Sequence, residues 1–166
     1  MDNGSKWWIH NLKIPKYKLI RKESAMVVLS GEYRHTIDSK NRVFIPAKLR
    51  EQLGEHFMIM QNVEGCLDIV TDEAVNSLVE KLASLPKTQT AKIKRFLFSG
   101  AADCTPDSQG RVIIPAQLVN FANIEKNVVI IGAADHAEIW SEELWLKNTS
   151  VYSNEFLSTE MENLNL

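Results

Sequence analysis

A chain of 166 residues, 45% apolar and 24% charged, is long enough for one ordinary domain or two small units sharing a core, and too apolar for disorder. No apolar run approaches the roughly 18 residues that a membrane helix needs, and Cys66 and Cys104 have no spacing that suggests a disulfide framework or metal site. The formal net charge is −2, yet residues 1–25 hold six Lys/Arg against two Asp/Glu, while 26–166 hold 13 against 19.

Within that acidic remainder, Arg34 to Arg50 gathers five basic side chains against one acid. A basic patch on an acidic body suits local contact with nucleic acid without general adhesion; taken alone, it also describes a solvated face. No secretory leader is legible, so reduced thiols in a cytoplasmic protein are expected, with no membrane contact.

In chain order, residues 1–25 read as an N-terminal extension or leader. Trp7-Trp8-Ile9 stands among lysines there, and Pro15 breaks any helix. His35-Thr36-Ile37 is extended and enters a turn over Asp38 to Asn41, where Asp accepts backbone N–H bonds and Asn tolerates the left-handed conformation. Val43 to Ile45 forms a short strand, and Pro46 suits the first position of a helix that buries Leu49 and Leu53 and stops at Gly54. Phe57 to Met60 and Cys66 to Val70 are strands joined through Glu64-Gly65. Thr71 caps a helix with Asp72 and Glu73 in its first turn, matching the helix dipole. Ala74, Val75, Leu78, Val79, Leu82 and Leu85 give that helix one apolar face as far as Pro86.

Gln89 to Phe98 is helical, and Lys92, Lys94 and Arg95 suit a solvated face more than contact with backbone phosphates. A strand at Val112 to Ile114 follows, then a helix from Pro115 with Leu118 and Ala122 inward, strands over Asn127 to Ile131 and Ala137 to Trp140, and a helix after Ser141. Beyond Val151 the chain is polar and acidic, either a helix docking on a neighbour or a loose tail.

The informative feature is an internal repeat. Asp38-Ser39-Lys40-Asn41-Arg42-Val43-Phe44-Ile45-Pro46-Ala47-Lys48-Leu49 and Asp107-Ser108-Gln109-Gly110-Arg111-Val112-Ile113-Ile114-Pro115-Ala116-Gln117-Leu118 agree at eight of twelve positions with an offset of 69. Ile69-Val70-Thr71-Asp72-Glu73 and Ile139-Trp140-Ser141-Glu142-Glu143 continue it after a one-residue slip. Each unit is too small to bury a core alone. Duplication therefore predicts a β-rich α+β fold in which the two units form an intramolecular pseudo-twofold barrel, with flanking helices. The expected division is 26–86, a linking helix at 87–99, 100–147, and a helix or tail at 148–166.

Such symmetry places both Asp-x-x-x-Arg turns on one surface. Arg42 and Arg111 are then the candidate DNA contacts, since a guanidinium just past a tight turn can clamp phosphate or read guanine. Lys40 is the phosphate partner in the first turn. Its counterpart Gln109 is uncharged, so the first turn is expected to bind DNA more strongly and the second to be more structural. Arg34 and Lys48 are secondary candidates, while Asp38, Asn41, Asp107 and Gly110 are turn architecture. His10, His35, His56 and His136 lack ligand spacing. No nucleophile or phosphate-binding loop accompanies the two aspartates, so neither catalysis nor a cofactor is expected.

The stretch from Gly31 to Ala47, GEYRHTIDSKNRVFIPA, together with both Asp-x-x-x-Arg turns, resembles the MraZ family over about Met26 to Leu146. Asn41 stands where that pattern usually has glycine, and residues 1–25 have no counterpart in it. The resemblance implies tandem AbrB-like swapped-hairpin units with a double-psi barrel-like fold, and ring-like homo-oligomers. It also implies binding to short promoter repeats in double-stranded DNA through the motif arginines, in regulation of the division and cell-wall gene cluster on the nucleoid. Two other classes stay open: an antitoxin-like AbrB-fold regulator and a ring-forming scaffold without DNA binding.

Overall fold

The computed structural model describes residues 28–166. The expectations for residues 1–25, including Trp7-Trp8-Ile9, lie outside the described residues. In chain order the elements are β1 (Leu29–Thr36), β2 (Arg42–Phe44), α1 (Ala47–Leu53), β3 (Phe57–Gln61), β4 (Leu67–Thr71), α2 (Asp72–Ala83) and α3 (Lys87–Phe98). The second half repeats them as β5 (Ala102–Cys104), β6 (Arg111–Ile113), α4 (Ala116–Phe121), β7 (Asn127–Ala134), β8 (Ala137–Ser141), α5 (Glu142–Thr149) and α6 (Asn154–Asn163).

Among the described residues, eight strands form two sheets. One has six strands in the order β1-β7-β8-β4-β3-β5, and the other is the ribbon β2-β6. Both are antiparallel. Exchanging the halves (β1 for β5, β3 for β7, β4 for β8) reads the six-strand order backwards, so the duplication is visible as a pseudo-twofold. The first strand of each half pairs with the other half, β1 on β7 and β5 on β3. Neither half closes its own sheet.

Alternation along the strands assigns the two faces. Phe57, Ile59, Leu67, Ile69, Ile130 and Ile139 point inward against Val43, Ile45, Leu49, Val112, Ile114 and Leu118 from the ribbon, α1 and α4, all essentially buried. On the opposite face Cys66, Val129 and Trp140 pack beneath Leu144 and Trp145 of α5, with the two indoles 5.6 Å apart. The caps follow the sequence: Thr71 and Ser141 each accept the N–H of the residue three positions on, at 3.3 Å.

Three local expectations shift. Pro46 and Pro115 are the residues before their helices rather than the first within them, and their carbonyls accept the opening helix bonds. The apolar stripe of α2 buries only Leu82 fully, while Val79 and Leu85 are exposed. A 3.6-residue period reports which side chains share a face, not that the same subunit covers it. The C-terminal segment is helical, and α6 is exposed along its whole length.

At the β4–β8 seam Asp68 lies opposite Glu138, and His136 sits between them. Its Nε2 is 3.1 Å from Glu138 and 3.9 Å from Asp68, and its Nδ1 is 2.7 Å from Asp135. The Glu138 hydrogen bond is the main reason that His136 is pushed up to about 9, against the opposing effect of burial. A histidine whose folded value is raised stabilises fully below its unfolded value of 6.5 and loses that contribution as pH rises through about 9. The melting temperature should therefore fall by about 3 °C between pH 6.5 and 9, for a screened contribution of about 1 kcal/mol. His136→Gln should flatten the profile. A wild-type curve already flat over that interval, measured by differential scanning calorimetry, would contradict the assignment.

Candidate nucleic-acid interface

The two turns are built alike. Asp38 Oδ1 accepts the N–H groups of Lys40 and Arg42, both at 2.9 Å, and Asp107 Oδ1 accepts those of Gln109 and Arg111, also at 2.9 Å. Each reversal is closed by a backbone bond, Asn41 to Asp38 at 2.9 Å and Gly110 to Asp107 at 2.8 Å. Asn41 has φ 56° and Gly110 φ 77°, so both turns need a residue that accepts positive φ. Asn41 fills the place of glycine without altering the turn.

The second oxygen of each aspartate holds the arginine. Arg42 Nε donates to Asp38 Oδ2 at 2.7 Å, while Arg111 donates through Nε at 2.9 Å and Nη2 at 2.8 Å to Asp107 Oδ2. Donation from the Arg111 side chain, then from its backbone, holds Asp107 down to about 2; the Arg42 N–H is the leading cause of the lowered Asp38 value. A guanidinium has five N–H donors in a planar fork. Pinning the Nε edge to a carboxylate leaves the outer nitrogens aimed along one direction, with little rotamer freedom left to lose on binding.

The ribbon sets where the forks point. Arg42 faces Ile113 in register, Val43 faces Val112, and Phe44 faces Arg111. Val43 and Val112 are buried, so alternation turns Arg42, Phe44, Arg111 and Ile113 to the opposite, outer face. Arg42 and Arg111 are diagonal neighbours across the ribbon, a relation in which Cβ atoms typically stand somewhat under about 8 Å apart. Both side chains are 29% exposed and line one groove with Asp107 and Ile113. Ile45 N–H to Gly110 O at 2.9 Å and Ile114 N–H to Asn41 O at 2.8 Å tie each turn to the strand of the other half.

The remaining sequence candidates divide. Lys40 is exposed at the tip of the first turn, two residues before Arg42. Lys48 lies on α1 and donates to Ser30 Oγ at 3.2 Å. Arg34 lies on β1, paired with Glu142 at 2.6 Å and Glu32 at 3.0 Å, and is not brought onto the ribbon. Arg50 belongs to the same basic stretch, but sequence reasoning gave it no role. Its guanidinium lies against Gly110, with a Cβ built there only 2.8 Å from Arg50 Cζ. The basic stretch ending at Arg50 was the available signal, and nothing in the sequence connected it with position 110.

The sequence profile of the family described as "MraZ protein, putative antitoxin-like" matches residues 28–95 and again residues 97–165. A protein of Heliobacterium modesticaldum is 50% identical over 119 residues, covering 70% of this chain and 83% of that protein. One of Caldanaerobacter subterraneus subsp. tengcongensis is 42% identical over 144 residues, covering 84% of this chain and all of that protein. One of Limosilactobacillus reuteri is 46% identical over 131 residues, covering 78% and 92% respectively. All three are named "Transcriptional regulator MraZ".

Proposed function

The chain belongs to the MraZ family, and from that membership we propose that it is a cytoplasmic, nucleoid-associated regulator of transcription, not an enzyme, that binds short promoter repeats in double-stranded DNA. The observation that carries the proposal is the position of Arg42 and Arg111 on one outward face of one ribbon, each already locked to its own aspartate. Guanidinium forks presented this way suit guanine O6 and N7 in the major groove, with Lys40 on the neighbouring phosphate. Arg34 and Lys48 are assigned outer phosphate contacts, reached only if DNA extends past the ribbon onto β1 and α1.

The fold proposal goes with the functional one. We assign the halves, 26–86 and 100–147 joined through 87–99, to the AbrB-like swapped-hairpin class with double-psi barrel-like geometry. Support comes from the exchange of first strands and the cross-tied turns. For the chain as a whole, a ring-like homo-oligomer is supported by apolar side chains exposed at its C-terminal end: Leu146, Phe156, Leu157, Met161 and Leu164. One subunit offers few phosphate contacts, so useful affinity requires several subunits on repeated sites, where linkage raises effective concentration. Control of the division and cell-wall gene cluster is the regulatory role assigned here.

A gel-shift titration tests the proposal, with the duplex upstream of the protein's own gene at 50 and 200 mM salt. Cooperative binding is expected, and six or more phosphate contacts would weaken it about 1000-fold over that range. An unshifted duplex with the oligomer intact would leave the scaffold reading instead. The family description favours one further class, an antitoxin-like regulator. A small toxin co-purifying with the chain would support that class.

A further inference from the structure

The two turns differ in what lies beneath them. Arg50, on α1 of the first half, donates from Nε to the carbonyl of Ile45 at 2.9 Å, and the N–H of Ile45 donates to the carbonyl of Gly110 at 2.9 Å. Its guanidinium stands 5.9 Å from the ring centroid of Phe44, which faces Arg111 in register. Gly110 is buried, and a Cβ there would meet Arg50 Cζ, Nε and Nη2 at 2.8–2.9 Å. One planar group therefore touches the strand opposite Arg111, the ring beside it and the turn before it.

The offset of 69 places Val119 where the second half would carry the counterpart of Arg50. Val119 is apolar and buried and has no side-chain donor. The first turn has Asn41 at its left-handed position, and the second has Gly110, where no side chain obstructs the guanidinium. Arg111 is also held by two bonds to its aspartate, where Arg42 is held by one.

The geometry points to Arg50 as a positioning residue for the second turn: braced from the first half, the Asp107–Arg111 fork is the pre-organised reader of base sequence, and the first turn, with Lys40, supplies mainly phosphate affinity. The inference rests on the DNA-binding proposal above and reverses the weighting that charge alone suggests. A fork held in place before contact loses less freedom on binding and tolerates displacement less, so discrimination concentrates there. Lysine cannot replace Arg50, because its ammonium has neither the flat face laid against Gly110 nor the fork geometry.

Arg50→Ala and Arg50→Lys in the full chain provide the test, read by amide hydrogen exchange and by DNA competition. In both variants the Gly110 amide should exchange at least about tenfold faster, with Asn41 and the core amide of Ile139 unchanged. Affinity for the duplex upstream of the gene should fall about tenfold, while a scrambled duplex of equal length stays within about twofold and the salt slope is preserved. Unaltered Gly110 exchange overturns the brace, and so does equal loss of protection at Gly110, Asn41 and Ile139, which would mean general destabilisation. Rescue by Arg50→Lys, with a salt slope reduced by about one in Arg50→Ala, would mark Arg50 as a phosphate contact and overturn the positioning role. Wild-type protein that fails to distinguish the two duplexes refutes the DNA reading itself and the discrimination assigned to Arg50, and the exchange measurement then decides the brace alone.

Discussion

Replacing both Arg42 and Arg111 by alanine should lower affinity for the upstream duplex by about 100-fold or more, at a cost of only a few degrees in melting temperature. A bidentate guanine contact through Arg111 contributes about 1–3 kcal/mol of discrimination, and a charge-assisted bond from Arg42 to phosphate about 1.5 kcal/mol more, so losing both removes about 3 kcal/mol. Subunits bound to repeated sites multiply the loss. The fold should tolerate the change, because the ribbon is anchored through Val43 and Val112 on its inner face and the arginines leave from the outer one. Asp38 and Asp107 lose a side-chain partner but keep two backbone N–H donors each. Lysine at both positions separates the two parts of the contact: charge and salt slope should survive while preference for the upstream duplex disappears. Unchanged affinity and salt slope in the double alanine variant would remove these arginines from the interface.

The duplicated turns were the most legible part of the molecule because their chemistry is local. Asp-x-x-Asn and Asp-x-x-Gly state which residue must accept positive φ and which carboxylate caps the reversal, and positions 41 and 110 take up those roles at φ 56° and 77°. The repeat also foretold that the halves would share one core. It did not disclose which strands change sides, since β1 lies about 100 residues from its partner β7 and its polar alternation describes an edge strand of any sheet. β5 was invisible: Ala102-Asp103-Cys104 has no strand pattern of its own and is extended because the edge of β3 offers it hydrogen bonds. Arg50 was counted among the basic residues without a role, because its partner Gly110 belongs to the other half and lies 60 positions away. Contacts across the pseudo-twofold have no local signal, and the asymmetry between the turns arises from such contacts.

Gly132→Ala should be among the most damaging single substitutions in the chain, although the position lies far from the candidate interface. Gly132 is in β7, opposite Gly31 of β1, and a Cβ built on it falls 2.2 Å from Ser30 N and 2.5 Å from Leu29 C. Those are backbone atoms of the neighbouring strand, so no rotamer change relieves the overlap. Gly31 itself has φ 107°, and the glycine pair allows β1 to cross β7 at close range. Adding a methyl group forces the strands apart, and overpacking against backbone should cost about 3 kcal/mol or more, or roughly 10 °C in melting temperature for a chain of this size. Because β1 leads directly into the Asp38 turn, DNA affinity should fall with it, whereas loss of stability elsewhere would spare the turn until the whole chain unfolds. Gly54→Ala is the internal comparison: unlike Gly132 it has a restrictive φ of 88°, but a Cβ there meets nothing within 4 Å, so only backbone strain of about 2 kcal/mol is expected. If thermal unfolding placed the two variants level, close approach of the strands would have no part in holding β1, and the exchange of first strands between the halves would need another anchor.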